Sequence, residues 1–191
     1  MTPLSVPTSG NPIVRRSRAA AVAIARFLRC EGGGPASEFS LVAAPFLGLM
    51  IAILQVGLIY YAQEALETAV EQTARLVLTG QAQSAAMTQS QFATALCNNS
   101  PGLFTCANFM IDLQPATSFA NANVTQPTLT FDASGKVTNT WQYSAGNPGD
   151  IMVMRVMYQW PVFLGPLGFT LSNEPNSMLL MMATSVFRNE P

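Results

Sequence analysis

The sequence predicts an α+β fold, in which one long N-terminal helix packs on a small antiparallel sheet and also anchors the chain in a membrane. Three observations predict it: a charge-free apolar run at 39–62, an amphipathic continuation that meets no helix breaker before Gly80, and a C-terminal half with short alternating segments. The 191 residues suffice for one modest domain and an anchor. Charged residues make up only 10% of the chain, against about 25% in ordinary soluble domains. A freely soluble cytosolic protein is therefore disfavoured.

The apolar run 39–62 contains 24 residues and no charge. As a helix it would be about 36 Å long, enough to cross a hydrocarbon core of ~30 Å. Tyr60 and Tyr61 stand at its far end, where aromatic belts occur. A buried core helix is one alternative, which length and composition disfavour. A cleavable secretory signal is another, but such signals have an apolar core of about 7–15 residues and a small-x-small exit.

The charges divide sharply between the two sides of this run. Residues 1–34 carry five arginines and one glutamate, whereas residues 35–191 carry four basic and nine acidic residues. The positive-inside tendency therefore predicts a cytoplasmic leader at 1–33 and an exported C-terminal part. Within the leader, 19–28 has the pattern of a short basic amphipathic helix on the membrane surface. Five arginines without interleaved aromatic residues make a poor phosphate-binding surface, so no nucleic-acid partner is expected.

Beyond Tyr61 the apolar residues continue at helical spacing. They follow the i, i+3, i+4 pattern of an amphipathic helix: Ala62, Ala65, Leu66, Ala69, Val70, Ala74, Val77 and Leu78. Gly80 is a natural stop. One helix is thus predicted from about 36 to 79. The predicted organisation is a leader at 1–33, a long helix at 34–80 and an exported α+β head at 81–191.

The head is predicted to contain a short helix followed by clustered antiparallel strands. The helix is expected at 88–98, and the strands at 108–114, 128–131, 137–143, 151–162 and 177–188. The segment 132–135 is expected to be a turn, and 151–162 the central strand, because it is almost entirely apolar. In the Gly- and Pro-bearing loop that follows, four apolar side chains are expected to pack on the head, with contact to a partner or to the membrane as the alternative: Leu164, Leu167, Phe169 and Leu171.

Cys97 and Cys106 are separated by nine residues, and the chain has no histidine. This spacing does not suit a zinc site. Because export places both residues in an oxidising compartment, the expectation is a Cys97–Cys106 disulfide, with a pair of free thiols as the alternative. Cys30, on the cytoplasmic side, is expected to stay reduced.

The sequence offers little that would serve catalysis. Without histidine, acid–base chemistry would fall to acids that are interpreted as lying in turns or near the terminus: Asp112, Asp132, Asp150, Glu174 and Glu190. There is no phosphate-binding glycine loop and no hydrolase motif. A non-enzymatic protein without metal or cofactor is expected, and an anchored envelope enzyme is the less favoured alternative.

Glu38 stands at the entrance of the apolar run, after three glycines that disfavour helix around them. One interpretation is that Ser37 or Glu38 simply favours the positive end of the helix dipole. The other is functional, since a basic leader, glycines, a glutamate, an aromatic residue and a long apolar run occur together.

This arrangement resembles a known family. The segment from Gly34 to Arg75 is similar to TadE-like pilus-assembly proteins, which are minor pilins or pseudopilins of the tight-adherence (Flp, type IVc) pilus. The resemblance implies cleavage by a prepilin peptidase between Gly33 and Gly34, which leaves Glu38 fifth and Phe39 sixth. It also implies pairing of Glu38 with the N-terminal amine of a neighbouring subunit.

The partners implied are the inner membrane, other pilins and the pilus-assembly machinery. The alternative function is an exported binding module, anchored by its uncleaved signal, that never enters a fibre.

Overall fold

The computed structural model describes residues 34–163 and 170–191. The leader 1–33 with its expected helix, and the loop residues 164–169, lie outside the described residues. The described elements are α1 (Gly34–Leu78), α2 (Gln81–Ser84), α3 (Gln89–Asn99), β1 (Met110–Ala116), β2 (Ile151–Pro161) and β3 (Met178–Arg188). Three single 3₁₀ turns accompany them, at Cys106–Asn108, Phe119–Asn121 and Pro175–Ser177. The predicted α+β fold is confirmed.

Helix α1 is continuous over 45 residues and includes Pro45. Its predicted extent, 36–79, agrees with the structure within two residues. Gly80 ends it with φ of +74°, a left-handed conformation that glycine adopts without steric cost. The chain divides into two compact units, 1–47 and 48–191, and the hydrophobic core lies in the second.

The second half of α1 supplies one side of this core. Six of its apolar side chains are buried: Ala62, Leu66, Ala69, Val70, Ala74 and Val77. These are members of the predicted amphipathic stripe, so the stripe is a packing surface. The last residues of the chain return to the end of this helix, where the Glu190 amide donates to the Leu78 carbonyl at 2.8 Å.

Helix α3 confirms the short helix predicted at 88–98. Thr88 caps it, since its hydroxyl accepts from the Gln91 amide while the Gln91 side chain accepts from the Thr88 amide. This reciprocal arrangement satisfies two backbone donors that the first turn would leave unpaired. Phe92 and Leu96 are the buried residues of this helix.

The three strands form an antiparallel sheet in the order β1-β2-β3. Strand β2 is central, as predicted, and it pairs Arg155 with Asp112 on one side and with Thr184 on the other. Alternate β2 residues face the core that α1 shares: Met152, Met154, Val156, Tyr158 and Trp160. The opposite face carries a second apolar cluster built around Leu129, Met157 and Leu180. Burial on both faces explains why β2 is apolar almost throughout.

Strand β3 is an edge strand, and side chains satisfy part of its free edge. The Leu180 amide donates to Asn173 Oδ1 at 2.8 Å. The Leu180 carbonyl accepts from Gln126 Nε2 at 3.1 Å, and the Met182 carbonyl accepts from Gln63 Nε2 at 3.0 Å. Amide side chains thus occupy positions that a further strand would otherwise use.

The strands predicted at 128–131 and 137–143 are wrong. These segments contain only two isolated bridges, Phe131 with Val137 and Leu113 with Tyr143. The Asn139 side chain supplies hydrogen bonds that backbone pairing would otherwise make. It accepts from the Thr130 amide at 2.7 Å and donates to the Thr128 carbonyl at 3.0 Å. Short polar side chains compete in this way with strand pairing.

The turn predicted at 132–135 is present, with Gly135 at φ of +81°. In the loop that follows β2, Leu171 is the member of the apolar set that the structure describes. It is 43% exposed. The expectation that it packs in the core of the head is therefore wrong for this residue.

Candidate assembly site at the start of the long helix

Glu38 is the fifth residue of α1, and its side chain is exposed. The Ser37 hydroxyl donates to the Gly34 carbonyl at 2.9 Å, so Ser37 lies inside the helix. Within residues 34–163 and 170–191 the recorded ion pair is Asp112–Arg155, which leaves Glu38 without a partner in the described parts. Its carboxylate is available to a group outside them.

An extended apolar surface follows Glu38 along the helix. Phe39 is 75% exposed, and large exposed apolar side chains continue from there to Tyr61. Among the described helices, α1 is the one that is long and apolar enough to cross a membrane. Only 6% of its most apolar 18-residue stretch is buried. The hydrophobic side chains that a soluble core would bury thus remain on the surface, as in a membrane-spanning segment.

The glycines expected at the cleavage site fall at the edge of the described chain. Gly34 is the first residue of α1, and a Cβ built on it would meet nothing within 4 Å. The expectation of a non-helical backbone is therefore wrong for Gly34. Gly33 lies outside the described residues, so cleavage between the two remains a prediction.

Cys97 and Cys106 form the predicted disulfide, with their Cα atoms 5.5 Å apart. The bridge joins the last turn of α3 to the 3₁₀ turn that precedes β1. Phe104, inside the closed loop, is buried and stacks edge-on against Tyr158, with ring centroids 5.0 Å apart. The cysteines therefore fix a loop whose aromatic side chain belongs to the core. No group of three or more metal-ligating side chains is found in the described part of the chain.

The sequence interpretation that Asp112 lies in a turn is wrong. Asp112 is a buried residue of β1. Its Oδ2 accepts from Arg155 Nε at 3.0 Å and from Arg155 Nη2 at 2.5 Å. Its Oδ1 accepts from the Gln142 amide at 3.0 Å. Arg155 Nη1 donates onward to the Thr125 carbonyl at 3.2 Å. The pair thus ties the segment 125–142 to the sheet.

Two other candidate acids have local structural contacts. Asp132 Oδ1 accepts from the Ser134 hydroxyl and amide and from the Lys136 amide. These contacts, the Ser134 side-chain hydrogen bond first, lower the pKa of Asp132 below its ordinary 3.8. Asp150 Oδ2 accepts from the Asn147 amide at 2.8 Å. Both carboxylates stabilise turns.

Sequence reasoning missed the Asp112–Arg155 pair, although a signal was present. Asp112 is the sole charge in 108–114, and Arg155 is the sole charge in 151–162. One charge of each sign inside two otherwise uncharged strands indicates a buried pair, since an isolated buried charge is too costly. Sequence reasoning also missed a cleft of about 350 Å³ beside β1, which Met110, Lys136, Val137 and Trp141 help to line.

A comparison with known protein families gives a match that lies within the same helix. The model of the family described as TadE-like protein matches residues 35–75, which confirms the resemblance derived from 34–75. At the level of the family, the match supports involvement in the Tad pilus system. No significant match was found among curated proteins or among solved structures.

Proposed function

We propose that the protein is a minor pilin or pseudopilin of a tight-adherence pilus, anchored in the bacterial inner membrane by the first half of α1. The observation that carries this proposal is the position of the TadE-like match, 35–75. It includes Glu38, the exposed apolar surface and the stripe that packs on the sheet. The subunit is structural and has no enzymatic role.

The two halves of α1 differ in the way that such a role requires. The half from 62 onward buries its apolar face against the head, so this face is not available to contact another subunit. The half from 39 to 61 keeps its large apolar side chains exposed, except for Ile59, which is partly buried against the core. In a membrane this surface contacts lipid, and in an assembly it contacts the same half of neighbouring helices.

Glu38 gives the assembly its register. A carboxylate near the hydrocarbon costs a few kcal/mol on insertion scales, and pairing with a cation removes most of that cost. Cleavage after Gly33 would create an amine at Gly34, one helical turn from Glu38, and intact mass of the membrane-extracted chain tests this cleavage. An amine of one subunit paired with Glu38 of the next fixes their axial offset, a specificity role rather than a gain in stability.

The test is replacement of Glu38 in the full-length protein. Glu38→Leu is expected to abolish surface pili, counted by electron microscopy, while the amount of protein in the membrane fraction stays at the wild-type level. Insertion is unaffected because the substitution removes a charge from the lipid boundary. Glu71→Leu is the matched control, since Glu71 is an exposed glutamate on the second half of the same helix.

Normal piliation by Glu38→Leu would contradict the assembly role and favour the alternative, an anchored binding module that stays outside the fibre. One observation supports that alternative: the cleft beside β1, with Trp141 and Lys136 in its lining. Trp141→Ala would then remove ligand binding without affecting piliation.

The orientation belongs to the proposal as well. With five arginines before the apolar run, the leader stays in the cytoplasm and the head is exported. The Cys97–Cys106 bridge supports this placement, because disulfides persist in oxidising compartments.

A further inference from the structure

We propose that Phe163, which follows β2, forms a second membrane contact, inserted into the outer interfacial region of the bilayer beside the membrane-spanning half of α1. This inference rests on the anchoring part of the proposed function and is independent of assembly into a fibre.

One hydrogen bond sets the depth of Phe163. Gln55 Nε2 donates to the Phe163 carbonyl at 2.9 Å. Gln55 precedes Ala62, the first fully buried residue of the α1 packing face, by seven positions, about 10 Å along the helix axis. The chain that follows β2 therefore contacts α1 one turn before Ile59, which is partly buried and packs against the edge of the core.

The length of the span places this contact at the lipid boundary. A hydrocarbon core of ~30 Å takes about 20 helical residues. Counted from Glu38, the span ends near Gly57, so Gln55 falls within about one turn of the outer boundary. Because Phe163 is hydrogen-bonded to Gln55, it lies at the same depth relative to the bilayer, where aromatic side chains are enriched.

The exposed side chains at this depth are apolar and do not pack in the core of the head. Val162 is buried, whereas the adjacent Phe163 is 76% exposed. Tyr60 is 69% exposed on the neighbouring turns of α1, and Leu54 is 67% exposed just below. An aromatic side chain that the described part of its own domain leaves uncovered, held against a membrane-spanning helix, has lipid as its nearest apolar environment.

Gln55 itself fits this environment. It is the only amide side chain in 39–62, and an amide without a partner is costly where water is scarce. The Phe163 carbonyl follows the last paired residue of β2, Pro161, and is a polar group of the same kind. Their hydrogen bond satisfies both groups at once, so Gln55 acts as a positioning residue for the segment.

The contact is hydrophobic rather than electrostatic. No charged residue occurs between Arg155 and Glu174. Insertion of Phe163 therefore needs no anionic lipid, and it is expected to be insensitive to salt, because screening weakens only charge interactions.

The experiment measures the depth of residue 163 in the full-length protein. Phe163→Cys is made in a Cys30→Ser background, labelled with an environment-sensitive fluorophore and reconstituted into phosphatidylcholine vesicles. Quenching by a nitroxide near the lipid headgroup is compared with quenching by aqueous iodide. Leu49→Cys, in the apolar run, is the lipid reference, and Ala133→Cys, in the exposed turn at 132–135, is the aqueous reference.

We expect label 163 to resemble label 49 in its protection from iodide, and to show several-fold stronger nitroxide quenching and several-fold weaker iodide quenching than label 133, at low and high salt alike. Iodide access equal to that of label 133 would overturn the inference while leaving the anchor intact. Protection from both quenchers would also overturn it, since a protein surface, such as a second copy, would then cover Phe163. Iodide access at label 49 would overturn the anchoring proposal together with the inference.

The positioning role of Gln55 is tested on the same label. Gln55→Leu keeps the helix apolar but removes the donor to the Phe163 carbonyl, so nitroxide quenching of label 163 is expected to fall. Gln72→Leu, at an exposed glutamine in the second half of α1, is the control and is expected to leave it unchanged. Equal quenching in the two variants would refute the role of Gln55.

Discussion

Asp112 and Arg155 are the buried ionised side chains that connect the sheet to the segment covering its outer face. Every oxygen of the Asp112 carboxylate accepts at least one hydrogen bond, and Arg155 reaches the Thr125 carbonyl as well. Such a pair adds less to stability than its Coulomb energy suggests, because both groups lose hydration. Its main effect is to specify where 125–142 lies.

Removal of one member of this pair is expected to be strongly destabilising. Asp112→Ala leaves the Arg155 guanidinium buried without its counter-ion, at a cost of about 3–5 kcal/mol. Thermal unfolding of the detergent-solubilised protein, followed by circular dichroism, measures the loss. Asp132→Ala, at an exposed acid, is the control and is expected to change the melting temperature far less. Similar melting of both variants would contradict the role assigned to Asp112.

Tyr143 has an unusual environment at the same scale. Its ring packs on Phe92, with centroids 5.6 Å apart, and its buried hydroxyl has no hydrogen-bond partner among the described protein groups. Burial raises the pKa of Tyr143 above its ordinary 10.0. Because the pKa is raised in the folded state, the unfolded chain ionises first, and stability is lost as pH rises from 10.0 through the folded-state value.

Tyr143→Phe is therefore expected to melt at or above the wild-type temperature at neutral pH, because an unsatisfied buried hydroxyl costs about 1–3 kcal/mol. It is also expected to lose less stability than the wild type between neutral pH and about pH 11, since the unfolded chain no longer gains from ionising this group. Melting curves at both pH values measure the difference. A variant with the wild-type alkaline loss would show that Tyr143 does not cause it.

At the scale of elements, α1 joins two environments in one helix. Its second half is stabilised by burial against the sheet, whereas its first half has no comparable core among the described residues. Side chains of the same chemistry are thus expected to contribute very differently in the two halves.

Leu66→Ala and Leu54→Ala compare them directly. Leu66 is fully buried in the core, and its truncation is expected to cost about 2–5 kcal/mol, as for other buried leucines. Leu54 is exposed on the apolar half, so its truncation is expected to leave the unfolding of the head nearly unchanged. Thermal unfolding in detergent measures both. Equal destabilisation would contradict the division of α1 into a packed half and a free half.

The elements that the sequence predicted correctly are those with strong periodicity or near-uniform composition. α1, α3, β2 and β3 lie within about two residues of their predicted bounds. The segment 128–143 was mispredicted because its apolar residues alternate as in a strand, yet its Thr and Asn side chains hydrogen-bond to nearby backbone. Local pattern does not reveal that competition.

For the candidate site, sequence reasoning predicted the cysteine pair correctly and proposed Glu38, because each depends on neighbours along the chain. It did not find the contact between Gln55 and Phe163. These residues are 108 positions apart, and only the register of β2 on α1 brings them together.

At the scale of the whole molecule, the division of charge predicts which cysteines react from which side of the membrane. In intact spheroplasts, a membrane-impermeant maleimide is expected to label Cys97 and Cys106 only after reduction of their bridge. In the chain that has not been cleaved after Gly33, Cys30 is expected to react only after lysis, because the positive-inside tendency retains the leader. A Cys30→Ser variant identifies its signal, and labelling of Cys30 before lysis would contradict the orientation.

The amide side chains along the edge of β3 have a consequence for crowding. When copies of a protein are crowded together, an edge strand with unpaired backbone groups can pair with the strands of other copies and lead to aggregation. In this chain, Gln63, Gln126 and Asn173 occupy hydrogen-bonding positions along the free edge of β3. These side chains therefore disfavour the stacking of copies along the edge of β3.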